Sequence, residues 1–240
     1  MREPALRKLR CTTKLPRMLQ PTTIQFLKAL KKNNHKEWFD ANRKQYEAAK
    51  DDFAQLVKAV IDQFGKTDAS IAALLPKDCM FRINRDVRFS KDKSPYKTNF
   101  GASINRGGKK SVLAGYYFHC EPSGSESFVG GGLWMPEADQ LKKIRQEIDY
   151  SFADFKAIIA NPKFSAVYTD LQQSDDVKLT REPKGYEKDN PAIEYIKLKS
   201  FVALQPLTDE ELTSKHLVQT ITTAFEALQP LVVFLNRGLE

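Results

Sequence analysis

The sequence is poor in the residues that build metal and disulfide sites. Its 240 residues contain three cysteines and three histidines, and none of them fall in CxxC or HExxH spacing. An odd, scattered set of cysteines fits a reducing compartment better than a disulfide framework. We therefore predict no metal site, and no motif identifies a cofactor.

Membrane and export signals are also missing from the sequence. No apolar run approaches the roughly 20 residues that a membrane span needs, and the basic first residues lack the apolar segment of a signal peptide. These absences predict a cytoplasmic protein with no membrane partner.

Motifs for nucleophilic catalysis and for phosphate cradling are absent as well. There is no GxSxG elbow and no evident Cys/His pair, so catalytic residues stay unknown. Gly130, Gly131 and Gly132 precede Leu133 and Trp134, whereas a P-loop needs a lysine and a following helix. These glycines are more typical of a bulge or a close backbone approach on a strand.

Positive charge, in contrast, is concentrated in two segments. The net charge is +8, of which residues 1–17 carry +5 and Met80–Asn99 carry +4, so the remaining residues sum to −1. A protein that coats a duplex is usually basic over a whole face. The sequence instead indicates a nearly neutral domain with one cationic tail and one cationic strand-loop.

The cationic strand-loop alternates apolar and polar residues. Apolar residues recur from Phe81 to Phe89, which predicts a strand over Met80–Ser90 with one buried face, followed by a turn at Ser90–Pro95. Arg82, Asp86 and Arg88 would then share the polar face. Arg85 would lie on the apolar face, where it needs a carboxylate or carbonyl partner and is expected to be structural. The alternative is a solvated edge strand with a lysine-rich loop.

This segment is the predicted binding site for a phosphorylated or carboxylated small molecule. Arginine forks bind such groups bidentately, and a second cationic segment at 183–201 is expected to converge on the first. That second segment is alternatively a solvated helix face. The candidate ligand-binding residues are Arg82, Asp86, Arg88, Lys93, Tyr96, Lys97, Lys184 and Lys199. Asp86 would orient the arginines, which should lower the pKa of its carboxyl.

Five further residues are expected to support the fold or the site: Asn42, Tyr46, Arg85, His119 and Trp134. His119 is either a structural residue or a ligand or general base. Two other functions stay open. One is a nucleic-acid-binding module in which Tyr96 or Tyr186 stacks on bases. The other is a structural or partner-binding protein whose arginines hold the fold together.

The order of predicted elements favours one α+β domain over residues 18–238, with an antiparallel β meander packed between N-terminal and C-terminal helices. Residues 1–17 are interpreted as a disordered extension or an N-terminal arm, and 239–240 as an expression-vector remnant. The predicted strands are Met80–Ser90, Phe100–Asn105, Ser111–Glu121, Ser127–Trp134 and Ser200–Leu207. The predicted helices include one capped by Asn34 and ending at Gly65, and a closing helix that Pro230 kinks or splits.

Four motifs together resemble one protein family. They are NNHKEWFDANRKQYE at 33–47, RINRDVRFSKDKSPYKTNFGA at 82–102, GGGLWMPE at 130–137 and PKGYEKDNPAIEYIKLKSF at 183–201. The chain is similar over about residues 18–236 to the chiefly bacterial family called domain of unknown function 2461. The resemblance implies no established activity. The residues that match its motif are Arg82, Arg85, Asp86, Arg88, Phe89, Asp92, Lys93 and Tyr96.

Two positions depart from the pattern expected of the family. Asn99 and Asn190 stand where many relatives are expected to have histidine. If a histidine transfers protons at either position in those relatives, this chain does not do so in the same way.

Overall fold

A four-stranded antiparallel sheet lies at the centre of the protein. The computed structural model describes residues 18–122, 124 and 126–240, so the predicted extension at 1–17 lies outside the described residues. The strands β1 (Phe100–Ile104), β2 (Gly115–Cys120), β3 (Ser127–Leu133) and β4 (Phe201–Leu207) are adjacent in that order. The meander β1–β2–β3 and the late strand β4 confirm the predicted α+β class.

Helices cover one face of this sheet. The two long helices are α3 (Arg43–Phe64) and α10 (Leu217–Leu239), and α1 (Pro21–Lys32) packs against α3. Alternate strand residues point at them: the Phe118 ring stacks on Phe53 at 5.8 Å, and Tyr116 meets Phe64 edge-on at 4.8 Å. The period-2 pattern of the strands and the 3.6-residue pattern of the helices thus meet in one apolar layer.

Most of the remaining helices pack against α3, α10 or an edge strand of the sheet. The remaining helices are α2 (Lys36–Ala41), α4 (Pro76–Cys79), α5 (Ala138–Tyr150), α6 (Phe152–Ile159), α7 (Pro162–Tyr168), α8 (Ile193–Ile196) and α9 (Asp209–Leu212), with a 3₁₀ turn at Ala69–Ile71.

Helix α10 is the main apolar support of the sheet. By length and composition it could cross a membrane, but 56% of its apolar window is buried inside the protein, where it packs on β3. Pro230 does not split the helix, which runs through it without a break. Burial on both sides of the proline, for example of Leu228 and Leu231, holds the helix together.

The predicted helix from Asn34 to Gly65 is two helices. His35, rather than Asn34, caps α2. The Asn34 side chain instead pairs with the backbone of Tyr96, donating to its carbonyl at 2.8 Å and accepting from its amide at 3.1 Å. Asn42 stands at the break between α2 and α3 and donates to the Trp38 carbonyl at 2.9 Å.

The predicted strand Met80–Ser90 does not form. Met80 makes one bridge to Ala102 of β1, after which the chain folds back on itself: Arg85 N–H donates to the Pro95 carbonyl at 3.0 Å. Of the apolar residues on the predicted buried face only Ile83 is buried, while Phe89 is 96% exposed. The backbone of Ile83 and Arg85 pairs with Lys97 and Pro95 instead of with β1, so this segment does not extend the sheet.

Strand β2 starts at Gly115, four residues later than the predicted start at Ser111. Val112, which was predicted to lie in the strand, is 65% exposed. The backbone before Gly115 is bound by side chains. Asn236 of α10 accepts from the Ala114 amide at 2.8 Å and donates to its carbonyl at 3.2 Å. These groups are therefore satisfied without a strand partner.

The glycines of β3 allow a close backbone approach, as predicted. Gly132 has φ +119°, and a Cβ there would lie 2.0 Å from the Phe201 carbonyl oxygen. Phe128, Gly130 and Gly132 follow one another on the sheet face away from α3 and α10. The neighbouring strand β2 presents Tyr117 and His119 on the same face. This face carries polar and aromatic groups beside small residues.

Candidate anion-binding site

A cavity of about 740 Å³ lies at the β1 edge of the sheet. Its walls come from the first half of α3, from α4 and from the loop that follows β1. We call it the basic groove, and its lining residues are Tyr46, Glu47, Lys50, Asp51, Ala54, Lys77, Met80, Phe81, Arg82, Phe100, Lys109 and Lys110. Phe100 is buried and Tyr46, Ala54 and Met80 are half-buried, whereas the charged members other than Lys109 are exposed.

Cations outnumber carboxylates around the basic groove by five to two. Glu47 pairs with Lys50 at 3.4 Å, and Asp51 accepts from the Gln55 amide at 2.5 Å. No carboxylate lies within ion-pair distance of Arg82 in the part of the chain that the structure describes, and its side chain is exposed. The groove therefore presents an excess of positive charge with at least one guanidinium available.

Two consecutive glycines place the lysines of the β1–β2 loop at the groove. Gly107 and Gly108 have φ +89° and +77°, which favours glycine. A Cβ at Gly108 would lie 2.8 Å from the Asp78 carbonyl oxygen. This close approach lets Lys109 donate its amide to the Asp78 carbonyl at 2.9 Å and its ammonium to the Lys77 carbonyl at 2.5 Å.

Lys97 lies next to the groove, on the other side of Phe81. Its ammonium is 5.3 Å from the centre of the Phe81 ring, a cation–π contact. Burial, together with the nearby charge of Arg82, lowers the pKa of Lys97. Lys97 therefore adds a further positive charge beside Phe81 and Arg82.

The other arginines of the cationic loop are bound by the loop itself. Arg85, a quarter exposed, pairs with Asp92 and donates to the Ser94 carbonyl at 3.2 Å. Arg88 chelates Asp86 through Nε at 2.9 Å and Nη2 at 2.6 Å. These hydrogen bonds from Arg88 lower the pKa of Asp86.

These contacts separate Arg88 from Arg82. Arg88 and Asp86 are both exposed, and neither lines the groove. Lys93 is also outside it and donates to the Val87 carbonyl at 3.0 Å. The expected shared face of Arg82, Asp86 and Arg88 is therefore absent, because the strand that would have aligned them does not form.

Acid should release the loop by protonating Asp92. Hydrogen bonds from the Ser94 hydroxyl and amide and from Arg85 lower the pKa of Asp92 from 3.8 to about 2. The stabilisation is therefore complete above about pH 4 and is lost as the pH falls through about 2. We expect the protection factor of the Ser94 amide, which is its intrinsic exchange rate divided by its observed rate at each pH, to fall over this range. Asp92→Asn should show the low protection factor at neutral pH; an unchanged protection factor in this variant would contradict the expectation.

Three more of the predicted ligand contacts lie elsewhere. Tyr96 is 6% exposed and stacks on Phe39 with ring centres 3.9 Å apart, so it belongs to the core. Lys199 precedes β4, at the opposite edge of the sheet from β1, about 14 Å away if three strand spacings are counted. Lys184 is exposed and does not line the groove. The two cationic segments do not converge.

The residues expected to support the site are also dispersed. Tyr46 lines the groove, with its ring 4.9 Å from Phe39, and Asn42 stands at the helix break behind it. Trp134 is 57% exposed at the end of β3. His119 lies on β2, on the open face of the sheet, where its Nε2 is 3.1 Å from Glu121 Oε2.

The sequence prediction missed four of the five cations in the groove: Lys50, Lys77, Lys109 and Lys110. A signal for two of them was present in the run RGGKK at 106–110, since a double glycine marks a tight turn that exposes the residues after it. No local pattern indicates that this turn meets α4 and α3.

A family model described as "Conserved hypothetical protein (DUF2461)" matches residues 22–234 of the chain. No curated protein and no solved structure matches it. The match covers the helical layer, the whole sheet and both sides of the basic groove. It also contains the four motifs that carry the resemblance. The chain therefore belongs to the family of conserved hypothetical proteins that is called domain of unknown function 2461.

Proposed function

We propose that this protein binds a small ligand carrying a phosphate or carboxylate group in the basic groove. The observation that carries the proposal is the excess of five cations over two carboxylates around one cavity of about 740 Å³. Cavities of about 300–1,000 Å³ are typical of small-molecule sites. Like-charged side chains gathered around one cavity repel one another, and a bound anion relieves that repulsion.

The roles of the lining residues follow from their contacts. Arg82 has its guanidinium available and supplies a planar fork for two anionic oxygens. Lys109 is held at the rim by its bond to the Lys77 carbonyl, so little side-chain entropy is lost when it meets a ligand. Met80, Phe81 and Phe100 offer an apolar floor for the uncharged part of the ligand.

The nucleic-acid alternative rests on one exposed residue. Tyr96, one of the two proposed stacking residues, is buried, but Phe89 is exposed with the Arg88 guanidinium 5.9 Å from its ring centre. A cation beside an exposed ring is an arrangement to which single-stranded nucleic acids bind. Retention of a single-stranded oligonucleotide that Phe89→Ala abolishes would favour this alternative over the groove.

We also propose a cytoplasmic location for the protein. Cys79 and Cys120 are free and buried, which is what a reducing compartment allows.

Titration with inorganic phosphate tests the proposal. We expect saturable binding with a Kd on the order of 1 mM, equivalent to about 4 kcal/mol, because single phosphate groups make few contacts. Pyrophosphate, with more charge, should bind more tightly, and added salt should weaken both. The bound anion should shift the backbone amides of the groove residues in nitrogen–proton correlation spectra.

A further inference from the structure

A second polar cluster lies beside the basic groove, on the open face of the sheet. We call it the His119 cluster, and its members are Thr98, Asn99, Tyr117, His119 and Glu121. The side chains of His119 and Glu121 are 16% and 19% exposed. All five groups are joined by side-chain contacts between 2.6 and 3.4 Å.

Glu121 fixes the orientation of the imidazole. Its Oε2 lies 3.1 Å from His119 Nε2, and its Oε1 accepts from the Thr98 hydroxyl at 2.6 Å. Burial alone would raise the pKa of Glu121, but the hydrogen bonds from Thr98 and His119 outweigh burial and the net pKa is lowered. A charged Glu121 beside Nε2 selects the tautomer in which Nε2 carries the proton.

The other ring nitrogen of His119 is therefore an acceptor. Burial lowers the pKa of His119, against the opposing effect of Glu121, so the ring is neutral at pH 7 and Nδ1 is unprotonated. The donors nearest to Nδ1 are the Tyr117 hydroxyl, with Oη at 3.3 Å, and the Asn99 amide, with Nδ2 at 3.4 Å. Both distances are long for good hydrogen bonds.

Tyr117 and Asn99 make no other side-chain hydrogen bond within residues 18–122, 124 and 126–240. One acceptor and two donors are thus gathered at one place with only weak bonds among themselves. A hydroxyl group would satisfy all three, because it donates one hydrogen bond and accepts two.

The position of Phe81 connects this cluster to the groove. Its ring lines the groove and also lies 6.3 Å from the ring of Tyr117. Lys97, over the same ring, is close enough for its charge to contribute to the lowered pKa of His119. The Phe81 ring therefore borders both the basic groove and the His119 cluster.

A purely structural cluster does not account for this arrangement as well. For stability alone, apolar side chains or polar side chains with complete hydrogen bonding would serve on this face of β2. Partly buried ionisable groups such as His119 and Glu121 carry a desolvation cost. Gly101 faces His119 across the β1–β2 pair, and a Cβ there would lie 2.4 Å from Tyr117 Oη. The missing side chain makes room for the tyrosine hydroxyl beside the imidazole.

We propose that the His119 cluster is the second half of the ligand site, and that it binds a hydroxyl group of a hydroxylated phosphate or carboxylate whose anionic group lies in the basic groove. Nδ1 of His119 accepts the hydroxyl proton in a hydrogen bond, while Tyr117 and Asn99 donate to the hydroxyl oxygen. Sugar and polyol phosphates are the chemical class that fits. This inference rests on the proposed function of the groove.

The test compares inorganic phosphate with glycerol 3-phosphate and ribose 5-phosphate by titration calorimetry. We expect at least one hydroxylated probe to bind the unmodified protein about fivefold more tightly than phosphate, as one to two added hydrogen bonds allow. His119→Phe keeps the ring that stacks on Phe128 at 4.7 Å but removes the acceptor. In this variant the hydroxylated probes should bind no more tightly than phosphate.

A nitrogen-detected spectrum of His119 supplies a readout that a structural role would not move. The hydroxylated probe, and not phosphate, should shift the Nδ1 resonance. If phosphate binds but neither hydroxylated probe binds more tightly or shifts Nδ1, the inference is overturned and the proposed function stands. If phosphate itself does not bind, the proposed function fails and the inference fails with it.

Discussion

Replacing Arg82 and Lys109 together by alanine is expected to weaken phosphate binding by at least about tenfold. Charged hydrogen bonds contribute about 1.5–3 kcal/mol each where they are well formed, and solvent screening at this open groove reduces that figure. Neither residue forms an ion pair with a carboxylate among the described residues, so the melting temperature should change little. Calorimetric titration and thermal unfolding of the same samples check both expectations.

The matched control is the double variant Arg88→Ala, Lys93→Ala. It also removes two positive charges, but from the neighbouring loop. There Arg88 is bound to Asp86, and Lys93 donates to the Val87 carbonyl. Phosphate affinity should stay within about twofold of the unmodified protein, because exposed charges at a distance are largely screened. Equal losses in the two double variants would mean that the general positive field, and not the groove, attracts the anion.

Gly132→Ala is expected to destabilise the protein by about 3–5 kcal/mol, which for a chain of this size is a fall in melting temperature of roughly 10 °C. The backbone at Gly132 has φ +119°, where a side chain is strained, and the new Cβ would lie 2.0 Å from the Phe201 carbonyl oxygen. The collision is with the backbone of β4, which cannot move without breaking its pairing with β3.

Gly185→Ala separates conformational strain from collision. Gly185 has φ +95°, but a Cβ there meets no atom within 4 Å. Its replacement should cost only about 1–2 kcal/mol, the strain of a positive φ. Thermal unfolding of both variants measures the difference, and similar losses in the two would show that the close approach of β3 to β4 contributes nothing.

The sequence predicted the fold where the pattern of side chains is decided by burial on one face. The helical spacing in α3 and α10 and the apolar residues of β2, such as Tyr116 and Phe118, arise from contact with the same apolar layer. The alternation in Met80–Ser90 has another origin. Two of its arginines are bound within the loop, Arg88 to Asp86 and Arg85 to Asp92, and of its apolar residues only Ile83 contributes to the core. A pattern of alternating residues does not distinguish these two cases.

The site was less predictable than the fold, because it depends on contacts between distant segments. Arg82 is identifiable from local charge, and it does line the groove. Lys109 reaches the groove only because its turn contacts α4, and Lys199 is excluded only because β4 pairs with β3 at the far edge. Strand order and loop docking are properties of the whole fold and leave little trace in the local sequence.

The most direct test of the basic groove is to locate bound phosphate by nitrogen–proton correlation spectra during a titration. The groove account predicts that the largest amide shifts cluster at Lys50, Lys77, Arg82 and Lys109 and saturate with one common Kd. Arg88, Lys184 and Lys199 should shift little. Shifts that cluster at Arg88 and Lys93 instead, or that grow without saturating anywhere on the protein, would contradict it.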